Sequence, residues 1–345
     1  MNGKNSKILV TGGAGYIGSH VVRQLGEAGH DLVIYDNAST GIPEAVLYGE
    51  LVIGDLGDIE ALYRLFARYS FSTVLHFAAS IVVPESIAYP LDYYANNTRN
   101  TLNLLRCCQA FGVNRFVFSS TAAVYGNTEE DLVAESIYPR PINPYGRSKL
   151  ASEWMIEDFG KTPDFRYVIL RYFNVAGADP DLRTGQYSPA ATHLIKVSCL
   201  AALNRRSSVS IFGTDFPTPD GTGVRDYIHV EDLASAHVRA VEYLGEGGES
   251  QIFNCGYGRG YSVREVIATV REVSGNSFAV IEEGRRLGDP ARVIADPSRI
   301  RERLGWRPMY DNLETIVRTT LEWEKKLSGQ TGTAALARSI GKRGG

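Results

Sequence analysis

The sequence predicts an α/β protein: a doubly wound parallel sheet carrying a smaller mixed α/β lobe. Three observations lead there. Short apolar runs, "KILVTG", "DLVIYD", "LVIGDL", "TVLHFAA", "RFVFSS" and "RYVILRYF", recur through the first half, separated by helix-like stretches, the rhythm of βαβ units around a parallel sheet. A glycine-punctuated turn joins the first of these runs to a helix. Beyond about residue 175 the rhythm breaks into "GADPDLRTGQYSPA" and "GTDFPTPDGTG", whose Gly, Pro and Asp read as loops over a second, irregular lobe.

Taken in order, "KILVTGGAGYIGSHVVRQL" is a strand, a turn with Gly12, Gly15 and Gly18 at three-residue intervals, and the opening of a helix. Glycines permit a close backbone approach to a pyrophosphate, and the helix N-terminus offers free N–H groups and a positive dipole end. "LVIYDN" follows, ending the next strand with Asp36 eighteen residues after Gly18. A carboxylate there accepts hydrogen bonds from a ribose 2′-hydroxyl and repels a 2′-phosphate, so the fold is of Rossmann type and NAD is expected over NADP. Later strand ends edge the same crevice, which adds Asp55, Leu56, Phe77, Ala78 and Ala79 to the cofactor candidates. "FVFSSTAAVYG" sets Ser119, Ser120 and Thr121 after a strand. "NPYGRSKL" then places Tyr145 and Lys149 one turn apart on a helix that Pro144 opens. A phenol is a poor base at neutrality, and a nearby cation favours its phenolate, which makes Tyr145 a proton acceptor.

These breaks divide the chain into a cofactor domain, residues 1–174, a mainly substrate-binding domain, 175–328, and a tail, 329–345, expected to be disordered because its Gly, Ser and basic residues show no apolar period. A stretch near 225–255 is expected to return to the first domain. With 36 basic and 39 acidic side chains the net charge is −3, so no basic field points to nucleic acid or an anionic membrane. No apolar run approaches membrane-spanning length and the N-terminus has no secretory pattern, so a cytoplasmic protein acting on small molecules is expected. Cys107, Cys108, Cys199 and Cys255 form no C-x-x-C pair, which suits buried thiols and no metal.

The glycine turn, the hydroxyl after a strand and Tyr-x-x-x-Lys, in this order and spacing, resemble the extended short-chain dehydrogenase/reductase family. "HFAA", "PLDYYANN", "LRYFNVAGA" and "DGTGVRDYIHVEDLA" narrow the resemblance to its UDP-sugar 4-epimerases, from about residue 6 to 327. That resemblance implies roles for Tyr145 as proton acceptor, Lys149 as its electrostatic partner and ribose clamp, and Thr121 as the assisting hydroxyl, where the family more often has serine. It adds Tyr16, Ile17, Asn37, Asn96, Ser119, Tyr172 and Phe173 to the cofactor set. For the UDP group and the sugar it implies Asn174, His193, Leu194, Ser210, Phe212, Arg225, Tyr227, Arg286 and Asp289, with Arg285 beside them. Ile81 stands where many relatives carry a lysine toward the cofactor phosphates. Val293 stands where strict UDP-galactose/UDP-glucose enzymes have a tyrosine.

The implied activity is NAD-dependent 4-epimerisation of UDP-galactose to UDP-glucose through a 4-keto intermediate, extended by Val293 to the UDP-N-acetylhexosamines, with a homodimer as the implied assembly. Alternatives are a 4-epimerase of a UDP-pentose or UDP-glucuronate, and a non-enzymatic NAD-binding sensor. A 4,6-dehydratase needs an acid/base pair where this chain has Ala122 and Ala123.

Overall fold

The computed structural model describes residues 6–128, 130–187, 192–286 and 289–341, from 330 onward as backbone only. The first half alternates strand and helix: β1 (Lys7–Thr11), α1 (Tyr16–Glu27), β2 (Leu32–Asp36), β3 (Glu50–Ile53), α2 (Ile59–Arg68) and β4 (Phe71–His76). Two short helices follow, α3 (Val83–Ala88) and α4 (Pro90–Tyr93), then a π-helical turn over Tyr94–Arg99 that runs into α5 (Asn100–Phe111). β5 (Arg115–Ser119), α6 (Pro144–Phe159) and β6 (Arg166–Tyr172) complete this half.

The strands form one seven-stranded sheet whose last member, β10 (Gln251–Cys255), pairs with β6, giving the order β10-β6-β5-β4-β1-β2-β3 with every pairing parallel. Both faces are covered. Ile8, Val10, Leu75, Val117, Val168 and Leu170 enter one buried cluster, while Leu9, Val74, Phe116, Phe118 and Ile169 enter the cluster on the opposite face. That alternation is why the strands read as continuous apolar runs. From β1 the chain moves to β2 on one side and later to β4 on the other, which opens a crevice above the C-terminal end of β1.

The second half builds the smaller lobe from β7 (Asn174–Ala176), α7 (Leu194–Ala202), β8 (Ser208–Phe212), β9 (Val224–His229), β11 (Gly260–Ser262), α9 (Val263–Ser274), β12 (Ala279–Glu283), β13 (Arg292–Val293), α10 (Ser298–Arg303) and α11 (Leu313–Gly341), while α8 (Val230–Gly245) and β10 return to the large sheet. β7, β11 and β13 pair with β9, and β12 pairs with β8. α8 packs on α1 and on the large sheet, and α7, α9 and α11 pack together. The stretch from 329 expected as a disordered tail instead continues α11 through Gly341, its alanine and leucine favouring helix; residues 342–345 lie outside the described residues. All four cysteines are free and buried. No helix among the described residues is long and apolar enough to cross a membrane.

Candidate active site

A cleft of about 1200 Å³ runs from the glycine turn, past the C-terminal ends of the central strands, to β8, β9 and β13 of the second lobe. Its first wall is the turn itself. Gly12 has φ +73°, and a Cβ there would lie 2.5 Å from Ala78 N. A Cβ on Gly18 would lie 2.2 Å from Gly12 O. The backbone is therefore packed too closely for side chains, and the start of α1 faces the cleft with Gly15, Tyr16, Ile17 and Gly18. The Tyr16 hydroxyl turns away to donate to Gly177 O at 2.6 Å, tying the turn to the second lobe.

Asp36 closes that end. Its carboxylate accepts from Ala14 N at 2.9 Å and from Ala38 N at 2.8 Å, which fixes it at the tip of β2 facing the cleft. Asn37 Nδ2 donates to Asp55 Oδ2 at 2.7 Å, and Gly57 N to Asp55 Oδ1 at 2.7 Å. Asp55, Leu56, Phe77, Ala78, Ala79 and Asn96 continue the same wall, with Asn96 Nδ2 donating to Ser80 Oγ at 2.9 Å. A cradle of free helix N–H groups and glycine backbone with a carboxylate at the ribose end fits a dinucleotide without a 2′-phosphate. Ile81 lines the cleft half-exposed and brings no cation to it.

At the middle stand Ser119, Thr121, Tyr145, Tyr172 and Phe173. α6 starts cleanly because Asn143 Oδ1 accepts from Gly146 N at 2.8 Å and Pro144 occupies its first turn. Tyr145 and Lys149 consequently share a face. The Tyr145 ring is 7% exposed and meets Tyr93 edge-on at 6.4 Å. Burial pushes its phenol well above the ordinary range, Tyr172 adds to this, and a hydrogen bond with Thr121 opposes it. Thr121 Oγ1 accepts from Ala123 N at 3.1 Å, so its own proton is available to the phenolate. Lys149 is not among the cleft-lining residues. It lies behind Tyr145 with Nζ 4.3 Å from the centroid of the Phe118 ring, and burial pulls it down to about 7, with Glu153 opposing. The sequence reading has a cation lowering the phenol; in the folded chain burial is the larger influence on both groups.

The far end belongs to the second lobe. Asn174, His193, Leu194, Ser210, Phe212, Arg225, Tyr227, Arg286, Asp289 and Val293 all line it. Arg225 Nη2 donates to Asp289 Oδ1 at 3.1 Å, and the Arg286 guanidinium lies 3.5 Å over the Phe212 ring. Gln186 Nε2 donates to His193 Nδ1 at 2.9 Å, which leaves Nε2 of the neutral ring as a donor. Arg285 is held outside the cleft by Asp215 at 2.6 Å. Gln186 and Tyr187, which also line the cleft, carry no sequence signal. Glu153 and Arg171 lie outside its lining with buried side chains, and no sequence signal marks either of them. Among the described residues no group of His, Cys, Asp and Glu could hold a metal.

The sequence model of the NAD dependent epimerase/dehydratase family matches residues 8–256. The chain belongs to that family. Within this epimerase/dehydratase family it is 55% identical to the UDP-glucose 4-epimerase of Azospirillum brasilense over 329 residues, 95% of this chain and 94% of the relative. The crystal structure of UDP-glucose 4-epimerase from Brucella ovis in complex with NAD superposes with a TM-score of 0.89 at 44% identity, covering 92% of this chain and 98% of that one. The UDP-Glc/GlcNAc 4-epimerase from Campylobacter jejuni does so with a TM-score of 0.82 at 48% identity, covering 93% and 99%. The parallel sheet expected from the alternating runs has seven strands, and it is the sheet of an epimerase/dehydratase fold.

Proposed function

We propose that this chain interconverts UDP-galactose and UDP-glucose by NAD-dependent 4-epimerisation through a 4-keto sugar. The observation that carries this reading is one continuous cleft with the glycine turn at one end, Arg225 and Arg286 at the other, and Thr121 and Tyr145 between them. Gly12, Gly15, Gly18 and Asp36 would hold NAD, which when bound supplies the acceptor, and then the donor, of the hydride at C4 of the sugar. Tyr145 Oη takes the 4-hydroxyl proton, Thr121 donates a hydrogen bond to the resulting phenolate, and the buried Lys149 ammonium favours that charge. Once the keto sugar has turned its other face, Tyr145 returns the proton. Arg225 and Arg286 hold the diphosphate so that a loosely held hexose can turn between the two half-reactions. Ala122 and Ala123 have no proton to transfer, which argues against dehydration.

Val293 borders the cleft and packs against the buried cluster that includes Phe173, and its small side chain supports a second activity on UDP-N-acetylgalactosamine and UDP-N-acetylglucosamine. The printed name of the Campylobacter jejuni relative carries the same pair of sugar types. A homodimer in the cytoplasm belongs to this reading. Leu91 on α4, Tyr89 just before it and Trp154 on α6 expose 78%, 62% and 54% of their surfaces, which suits a face between two copies. Purified protein incubated with UDP-galactose is expected to yield UDP-glucose. A chain that binds NAD and leaves UDP-galactose unchanged is a sensor, and this reading falls.

A further inference from the structure

Beneath the cleft lies a buried ion pair outside its lining. Glu153 follows Lys149 by four residues and Tyr145 by eight, so the three share one face of α6. The Glu153 side chain is fully buried and that of Arg171 in β6 nearly so. Arg171 Nη2 donates to Glu153 Oε2 at 2.6 Å, its Nε reaches both carboxylate oxygens at 3.1 Å, and Ser120 Oγ donates to Oε1. Arg171 Nη1 donates onward to Tyr125 Oη at 3.0 Å. One carboxylate thus joins the segments that carry Thr121, Tyr145 with Lys149, and Tyr172.

Around Lys149 the charged and titratable groups are few. Its own helix contributes Tyr145 and Glu153, β6 contributes Arg171, and α3 and α4 contribute Glu85 and Tyr93, bonded to each other at 2.9 Å. β4 contributes His76, held neutral by burial and by Lys149, which pull it down to about 3. Glu153 is bonded to the buried Arg171 and stands one helical turn from the buried Lys149, whose charge it favours. We propose that Glu153, fixed by Arg171 and Ser120, is a positioning residue for proton transfer, keeping the Lys149 ammonium charged behind Tyr145. Burial acts against that charge and Glu153 acts for it.

The turnover test rests on the epimerase reading. Glu153→Gln keeps the shape and removes the charge, whereas Arg171→Lys keeps the charge and breaks the fork. With UDP-galactose, kcat falls as pH rises through the titration of Lys149, at about 7. In E153Q that fall is expected about 1–3 pH units lower, with KM within about twofold because the uridine ligands are untouched. R171K is expected to keep the fall where it is in the unaltered protein. If E153Q does not fold, Glu153→Asp is read the same way, expecting a smaller shift in the same direction. A purely structural role would lower activity in both variants and leave the pH of the fall unmoved, and that result overturns the proposal. NMR titration of the holoenzyme labelled with ¹³C-lysine, with Lys149→Arg to assign the signal, reads the same ammonium without turnover. A chain inert toward UDP-galactose would sink the epimerase reading, and an unshifted Lys149 titration in E153Q would sink this one.

Discussion

Tyr145 is a phenol that burial makes hard to ionise and that the reaction needs as a base. The two demands meet only if positive charge and a donated hydrogen bond stabilise the phenolate while substrate is bound. Tyr145→Phe keeps the ring and its contact with Tyr93, so folding is expected to be unchanged. Its kcat on UDP-galactose is expected to fall about 10²–10⁴-fold, and a variant retaining a tenth of the activity would remove Tyr145 from the chemistry. Val293→Tyr adds a ring beside the sugar site. The ratio of activity on UDP-N-acetylgalactosamine to that on UDP-galactose is expected to drop about tenfold or more, the scale of discrimination a crowded pocket supplies. An unchanged ratio would place the sugar choice elsewhere. At this scale Tyr145 and Lys149 are legible because their spacing is a helix turn. Glu153 and Arg171 are not, since a charge in a helix or strand ordinarily reads as solvated and only the folded chain shows their side chains 3% or less exposed.

Elements were legible in proportion to how much of their own hydrophobic pattern they carry. Five of the six apolar runs of the first half are strands buried on both faces, so the sequence alone announces them; the other is β3 at the sheet edge, which has no fully buried residue. β7, β11 and β13 have two or three residues each. Their pairing with β9, Val293 opposite Arg225 for instance, comes from tertiary position, and no local period marks it. The π-helical turn at Tyr94–Arg99 was equally silent, although it turns Asn96 into the cleft. The glycine turn is the element whose geometry is most constrained. Gly12→Ala would drive a Cβ to 2.5 Å from Ala78 N at a positive φ, an overpacking that costs about 1–3 kcal/mol and moves the backbone that faces the cofactor. The purified variant is expected to carry less NAD, read by absorbance after acid release. NAD content equal to that of the unaltered protein would show that the turn tolerates the shift and that the close approach is incidental.

At the scale of the molecule, the two lobes share a core. One buried cluster contains Val10, Val117 and Leu170 of the large sheet together with Ile195, Val266, Trp306 and Leu321 of the second half. The chain also recrosses, since β10 joins the large sheet and α8 packs on α1 after β9 has been built. Neither lobe can lose its packing without exposing apolar surface of the other, so heat is expected to unfold the 345-residue chain in one transition. A ligand of the second lobe should therefore stabilise all of it. UDP at 100 times its Kd contributes about 2.7 kcal/mol, and with an unfolding entropy of about 2.1 cal/mol/K per residue this raises Tm by about 4 °C. Calorimetry with and without UDP checks the argument, because two resolved transitions with only one moved by UDP would mean that the cleft joins lobes that fold independently.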